Sequence, residues 1–294
     1  MSRALNRPRR ICAWVGLVAW PLLMGLGAAH AQDLNNAPAQ LEAAEGTPLP
    51  NAPLVSERAP VRRLELSTSA QHLTAGYGNW RDQRAVGTYE AGPHVWQGEL
   101  AARHAFGQDG KYLAVGDTLT FSPDWYGNLT VGAGDGAFYL PRVRVDLTAS
   151  RKWGGSRQLV TSLGGTYYKA PDGHIDHALS LGGTYYFKQP WIVEAGLRLN
   201  RSNPGGISTH QQFAALTYGH FRQDLGTVRY AYGGEGYQAI AANTTLVNFQ
   251  SRQFSASWRH WVSPDWGWLV AAERYSNPYY VRSGLTLGLF HDFP

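Results

Sequence analysis

From residue 63 to the C-terminus, apolar and polar residues alternate in short stretches separated by Gly, Pro, Asp and Asn. The stretch after Pro93 is apolar on one side, with Trp96, Leu100, Ala102 and Phe106. Its other side carries Gln97, Glu99 and Arg103. Because successive side chains of a β-strand point to opposite faces, this period of two predicts strands with one apolar and one polar face.

The same design recurs in the stretches that begin at Leu140, His174, Trp191 and Gly284. Turn signals divide the region into 14 predicted strands: 63–75, 80–91, 93–106, 111–122, 127–134, 140–151, 157–169, 174–188, 191–202, 207–221, 225–233, 245–261, 267–275 and 283–293. Merging two weak segments gives 12 strands as the alternative. The chain is therefore predicted to be all-β.

Two turns share the sequence Ser-Pro-Asp-Trp, at residues 122–125 and 263–266. If the N-terminus is periplasmic and the strands alternate in direction, both turns lie on the periplasmic side. The longer Gly-rich connections, 233–244 and 276–282, then lie outside. Short periplasmic turns with longer outer loops are typical of outer-membrane barrels.

Closure into a membrane barrel explains the two-faced strands. Charged residues make up only 16 % of the chain and the mean hydropathy is −0.32, which excludes a bundle of transmembrane helices. Lipid supplies no hydrogen-bond partners, so a sheet in a membrane must close on itself. We predict a transmembrane antiparallel up-and-down β-barrel, with a periplasmic β-sandwich as the alternative. Ten aromatic residues near strand ends are expected at the membrane interface: Tyr167, Tyr168, Tyr185, Tyr186, Phe187, Trp191, Trp258, Trp261, Trp266 and Trp268.

Residues 1–31 are predicted to be a cleaved signal peptide, with four Arg residues, an apolar run and Ala29-His30-Ala31 as the cleavage signal. An uncleaved signal anchor is the alternative. Cleavage removes four of 26 Lys and Arg residues and none of 21 Asp and Glu, leaving 22 against 21 and a net charge of +1. This balance argues against nucleic acid as a partner. Residues 32–62, with five Pro, are predicted to be a flexible periplasmic linker, and 63–294 the barrel.

The sequence offers little for catalysis. The one cysteine, Cys12, lies in the signal peptide, so we expect no disulfide and no zinc-thiolate site. The candidates for a lipid-modifying enzyme are His174, His177, Ser180, Ser208 and His210. His177 and Ser180 differ by three positions, which puts them on opposite faces of a strand. We therefore expect no enzyme, no cofactor and no metal site.

The nonapeptide Leu-Thr-Ala-Gly-Tyr-Gly-Asn-Trp-Arg at residues 73–81, the Gly-Thr-Tyr-Tyr strands and the aromatic C-terminal strand resemble the YaiO family of outer-membrane β-barrels. The resemblance covers nearly the whole region from Leu64 to Phe293. It implies the barrel fold and a place in the outer membrane of a Gram-negative bacterium, but no catalytic residues. Related barrels occur beside exopolysaccharide export systems. The chain departs from the usual C-terminal insertion signal, because Pro294 follows the last aromatic residue and His291 replaces an apolar one.

The predicted function is a non-enzymatic barrel that carries, or helps to transport, polar solutes or envelope glycan. Its predicted lumen residues are Glu99, Arg103, Arg144, Asp146, Asp176, Glu194, Arg198, Arg229 and Glu273. The sequence leaves open whether this lumen is an aqueous path or is closed by paired charges. The alternative is a structural or adhesive barrel that acts through outer-loop tyrosines: Tyr232, Tyr237, Tyr275, Tyr279 and Tyr280. Expected partners are outer-membrane lipid, lipopolysaccharide, the barrel assembly machinery, and glycan or glycan-export components.

Overall fold

In the computed structural model, which describes residues 61–294, the chain forms one closed antiparallel β-barrel of 14 strands. This confirms the predicted fold class and the larger of the two strand numbers. The predicted signal peptide and all but the last two residues of the predicted linker lie outside the described residues. No helix in residues 61–294 is long and apolar enough to span a membrane.

The strands follow one another around the barrel in chain order, and β1 closes the barrel by pairing with β14. Their bounds are β1 (Arg62–Leu73), β2 (Asn79–Ala91), β3 (His94–Ala105), β4 (Gln108–Thr120), β5 (Trp125–Gly134), β6 (Val143–Trp153), β7 (Leu159–Lys169), β8 (Ile175–Tyr186), β9 (Trp191–Asn203), β10 (Ile207–His220), β11 (Asp224–Ala241), β12 (Thr244–Trp261), β13 (Trp266–Ser276) and β14 (Val281–Asp292). The closing pair runs from Arg63 opposite Asp292 to Leu73 opposite Arg282. Every strand pairs with two neighbours, so the barrel has no open sheet edge of the kind that a membrane excludes.

Inward and outward residues alternate along each strand. Leu100 and Leu287 point outward and expose 61 % and 59 % of their surface, whereas their neighbours Glu99 and Thr286 are buried inside. An exposed band of Leu and Val therefore surrounds a polar interior. In water this band would be a large exposed apolar patch, but in lipid it is the surface that anchors the barrel.

The two Ser-Pro-Asp-Trp turns have the same geometry at the same end of the barrel. In each, the amide of the Ser donates to the carbonyl of the Trp at 3.2 Å, between β4 and β5 and between β12 and β13. We call this the periplasmic end, following the predicted periplasmic N-terminus, and the opposite end the extracellular end.

The prediction that residues 233–244 form an outer loop is wrong, because most of this segment is β-strand. β11 continues to Ala241 and β12 starts at Thr244, so the two strands form a long hairpin with a two-residue tip. The glycines lie inside β11, which stays paired with β12, and Gly233 allows the strand to pack closely against β10. A Cβ on Gly233 would lie 2.3 Å from the carbonyl oxygen of His210, in the neighbouring strand β10.

Some aromatic residues face the opposite way from the prediction. Tyr168, Tyr186 and Trp261, expected at the membrane interface, are buried inside the barrel. Phe106, expected on the outward face of β3, lies in the β3–β4 turn with a φ of 51°. This positive φ breaks the alternation, and the ring packs against Trp80 at a centroid distance of 4.8 Å.

Candidate functional site in the barrel lumen

All nine residues predicted for the lumen lie on inward faces of their strands: Glu99, Arg103, Arg144, Asp146, Asp176, Glu194, Arg198, Arg229 and Glu273. Six of them are buried outright, namely Glu99, Arg103, Asp176, Glu194, Arg198 and Arg229. The structure also brings together charged partners that the sequence analysis did not name. Most of the ion pairs lie on one side of the lumen, and most of the small hydroxyl and amide side chains lie on the other.

One wall, formed by β2 and β3, carries a chain of ion pairs. Arg84 contacts Glu99 at 2.9 Å, Arg103 reaches the same carboxylate at 3.4 Å, and Arg103 contacts Asp82 at 2.6 Å. Buried charges that lack partners are costly, and this network supplies each charge with its opposite.

Ion pairs also tie the strands on both sides of the closing seam. Arg63 of β1 contacts Asp292 of β14 at 2.5 Å. Arg259 of β12 reaches across β13 and β14 to Glu65 of β1, at 2.6 Å. The long arginine side chains fill this half of the lumen. We call β12 to β14 together with β1 to β3 the charged wall.

The opposite wall, from β5 to β10, carries mainly small hydroxyl and amide side chains. Its buried inward residues include Asn128, Thr148, Ser150, Ser162, Thr166, Ser180, Thr184, Asn200, Ser202 and Thr217. Several bond to one another across strands, such as Ser150 to Ser162 at 2.8 Å. We call this surface the hydroxyl wall. It offers neutral donors and acceptors, and six charged side chains lie between them: Arg144, Asp146, Lys152, Asp176, Glu194 and Arg198.

Glu194 and Arg198, which share a strand face, bond to different partners. Glu194 accepts a hydrogen bond from Thr184 at 3.3 Å, and Arg229 is the cation whose charge acts on it. Arg198 donates to Thr166 at 3.1 Å. Glu194 and Arg198 are therefore held by hydroxyl groups of the neighbouring strands, as parts of a wider polar network on the hydroxyl wall.

The extracellular mouth is filled by the β5–β6 loop, residues 135–142, which folds inward. Tyr139 and Leu140 are buried in an apolar cluster with Leu73, Trp80, Ala105, Ala137, Leu246, Phe249, Tyr275 and Tyr280. The Tyr139 hydroxyl donates toward the carbonyl oxygens of Arg103 at 2.9 Å and Gln108 at 3.1 Å. Burial raises the pKa of Tyr139, so this hydroxyl keeps its proton to a higher pH than an exposed tyrosine does. We call this group the mouth cluster.

Two glycines make room for the loop. A Cβ on Gly110 would lie 2.7 Å from both the Tyr139 hydroxyl and the Ala137 Cβ, and one on Gly134 would lie 2.6 Å from the Leu140 Cβ. Neither contact is possible for a larger residue without displacement of the loop. The inward fold of 135–142 is thus encoded in the small residues of β4 and β5 as well as in the loop.

The lumen is closed in this structure. Ser150, Ser180 and Thr184, on the hydroxyl wall, expose 2 % or less of their surface. At the periplasmic end, Trp261 and Phe290 pack at a centroid distance of 4.9 Å beneath the guanidinium of Arg63. Side chains therefore occupy the lumen at the mouth, on the hydroxyl wall and at the periplasmic end. Passage of a solute requires their movement.

The residues predicted for a lipid-modifying enzyme are divided between the two faces of the barrel wall, and Ser208 faces outward. His177 and His210 face outward, whereas Ser180 is buried inside. His174 bonds Asp176 at 3.0 Å and packs edge-on against Tyr237 at 4.2 Å, which joins the β7–β8 loop to the long β11–β12 hairpin. Within residues 61–294 no group of three or more His, Cys, Asp or Glu side chains could hold a metal ion.

The outer-loop tyrosines divide into exposed and buried residues. Tyr275 and Tyr280 are buried in the mouth cluster, and Tyr275 donates to Glu235 at 2.7 Å. Tyr232 and Tyr279 expose 41 % and 43 % of their surface. Tyr275 and Tyr280 are therefore unavailable for adhesion, and they help to close the mouth.

Comparison with solved structures supports the fold. The chain aligns with a structure described as a bacterial polysaccharide outer membrane secretin, with a TM-score of 0.51 and 10 % identity, over 80 % of this chain and 99 % of that one. It aligns with the CymD monoaromatic hydrocarbon channel with a TM-score of 0.52 and 8 % identity, over 92 % of this chain and 95 % of that one. At these identities the likeness shows the shared barrel fold alone.

Sequence comparison identifies the family. No match was found among curated proteins. The family model of the YaiO membrane β-barrel domain matches residues 61–238, more than half of the chain. This match confirms the resemblance seen in the nonapeptide at 73–81. The chain belongs to the YaiO family of membrane β-barrels, which places it in the outer membrane.

Proposed function

We propose that this protein is a gated, non-enzymatic channel for polar solutes, with neutral glycan as the favoured class of solute. The observation that carries the proposal is the division of the lumen into a charged wall and a hydroxyl wall. Small hydroxyl and amide groups such as Ser150, Asn128 and Thr184 can exchange their mutual hydrogen bonds for bonds to sugar hydroxyls. The arginines opposite them are already held by carboxylates.

The mouth cluster is the gate in this proposal. Tyr139 and Leu140 block the extracellular end and are attached to the barrel wall by the tyrosine hydroxyl and by apolar contacts. Loop segments have few backbone ladder bonds, so they move more easily than strands. Outward movement of residues 135–142 would remove three buried residues of the cluster from the mouth.

The test is conductance of the refolded protein in planar bilayers, before and after deletion of residues 136–140. We expect small and infrequent openings for the native chain and sustained conductance for the deletion variant. Swelling of liposomes that contain the variant should be faster in neutral oligosaccharides than in charged solutes of equal size. Heat-modifiable migration on gels confirms that each barrel is folded.

The matched control shortens a turn at the other end, by deletion of Gly154 and Gly155 between β6 and β7. This variant should keep the low conductance of the native chain, because the mouth cluster is intact. If the 136–140 deletion gives a folded barrel with no conductance and no solute flux, the channel proposal is wrong. The structural or adhesive function would then be favoured.

A further inference from the structure

The outward face of the barrel changes chemistry at its extracellular end. On β9, the outward residues from Trp191 to Leu199 are apolar, and the next outward residue is Arg201. This apolar part covers eight steps of about 3.3 Å, or about 26 Å along a tilted strand, which spans most of an apolar band about 25 Å tall. Arg201 therefore lies at the level of the outer lipid head groups.

Basic residues occupy this level around much of the barrel. We call them the basic collar: Arg81, Lys111, Lys169, Arg201, Arg252 and Arg274. On the described strands, the acid that faces outward at this level is Asp109, and it is paired with His104 at 2.7 Å. The collar is therefore strongly cationic.

The periplasmic edge has a different composition. Its outward residues include Trp125, Trp153 and Trp266, and the guanidinium of Arg151 stacks over the Trp153 ring at 3.9 Å. Asp117 and Asp224 supply negative charge there, each paired with a histidine. The periplasmic edge therefore carries both cations and anions among its tryptophans, whereas the basic collar at the opposite end is mainly cationic.

Within the collar, the strand registers place four polar residues side by side. Tyr167 of β7 lies opposite His177 of β8, His177 opposite Arg201 of β9, and Arg201 opposite Ser208 of β10. Side chains directly opposite one another in antiparallel strands have Cβ atoms about 5 Å apart. The Tyr167 and His177 rings are already in contact, at a centroid distance of 5.4 Å.

We propose that His177, Arg201 and Ser208 form a binding site for a phosphate group of lipopolysaccharide in the outer leaflet. An imidazole, a guanidinium and a hydroxyl lie in one row directly above the exposed Leu179 and Leu199, so a lipid with its acyl chains on those leucines presents its head group to the row. Arginine binds phosphate oxygens through two parallel N–H donors, and serine adds a third donor. In residues 61–294, no carboxylate pairs with Arg201 or His177 to compete with the phosphate.

The test measures binding of bisphosphorylated lipid A to the refolded protein in detergent, by titration with quantification of protein-bound lipid phosphate. The native chain should bind lipid A, and the double variant His177→Ala/Arg201→Ala should bind it at least tenfold more weakly. Arg151→Ala, which removes an outward cation at the periplasmic edge, is the matched control and should bind as the native chain does. Heat-modifiable migration should be unchanged in both variants, because neither removes an inward contact.

Two further probes define the ligand. Dephosphorylated lipid A should lose most of the affinity of the native chain, since the proposed contacts are to phosphate. Phosphatidylglycerol micelles should bind more weakly than lipid A. Equal affinity for the phosphorylated and dephosphorylated forms, or equal affinity of the native chain and the double variant, would overturn the site. Equal affinity for phosphatidylglycerol would overturn its assignment to lipopolysaccharide.

Discussion

Gly233 combines a backbone conformation that favours glycine with a close approach to the neighbouring strand β10. Its φ is 152°, and a Cβ there would meet both the carbonyl of His210 and the Cα of Gln211 at 2.5 Å or less. We expect Gly233→Ala to destabilise the barrel by about 2 kcal/mol, through backbone strain and overpacking. The measurement is the unfolding midpoint in urea, followed by loss of heat-modifiable migration.

Gly226, in the same strand, provides the control for this prediction. Its φ is ordinary, and a Cβ would come no closer than 3.9 Å to the carbonyl of Tyr218. Gly226→Ala should therefore leave the free energy of unfolding within about 0.5 kcal/mol of the native value. Equal effects of the two substitutions would mean that close packing at Gly233 is not what holds β10 against β11.

The pair between Glu65 and Arg259 leads to a second prediction at the residue scale. Both side chains are buried, and they join β1 to β12 across the closing seam. Glu65→Gln leaves a buried guanidinium with less compensation, so we expect a loss of about 3 kcal/mol in unfolding free energy. The double variant Glu65→Gln/Arg259→Met should lose less than the sum of the single variants. Additive losses in this double-mutant cycle would show that the two groups do not interact.

The inward residues could be predicted where the alternation is clean and not where both faces are polar. Glu99 and Arg103 alternate with Leu100 and Ala102, so their inward position follows from the sequence. In β2, Arg81, Asp82, Gln83 and Arg84 follow one another, and no apolar face indicates which residues point inward. The structure explains this run, because its outward members lie at the level of the basic collar.

At the scale of the element, the gate depends on the space left by a glycine in β4. Gly110→Val would place side-chain atoms where Tyr139, Ala137 and Leu140 now lie. We expect this substitution to displace the 135–142 loop and raise the open probability in planar bilayers. Gly98→Val is the control, because Gly98 faces lipid with nothing within 4 Å. If Gly110→Val conducts no more than Gly98→Val does, the loop is not the barrier.

The strands themselves were more predictable than their connections. All 14 were predicted, and most bounds lie within two or three residues of those observed, because a period of two over ten residues is a strong signal. β11 was predicted to end at 233 because glycine pairs usually mark turns. The inward fold of residues 135–142 could not be predicted, since it depends on glycines that lie next to the loop only after the barrel has closed.

At the scale of the whole molecule, closure depends on how β14 meets β1 at the C-terminus. The amide of Phe293 donates to the carbonyl of Arg62 at 2.6 Å, and Asp292 pairs with Arg63 inside the barrel. Outside, Leu285, Leu287 and Leu289 form an apolar row that His291 interrupts before Phe293. The backbone of β14 is thus fully paired with β1, but its outward row of apolar side chains is interrupted by His291.

The interruption predicts slower assembly in the cell. We expect His291→Leu to increase the fraction of heat-modifiable protein in the membrane shortly after induction, because a continuous apolar row is the usual outward pattern of a barrel strand. His72→Leu, which changes an outward histidine of β1 at the other end, should leave this fraction unchanged. An unchanged or lower fraction for His291→Leu would mean that the backbone pairing of β14 with β1, and not its outward pattern, limits closure.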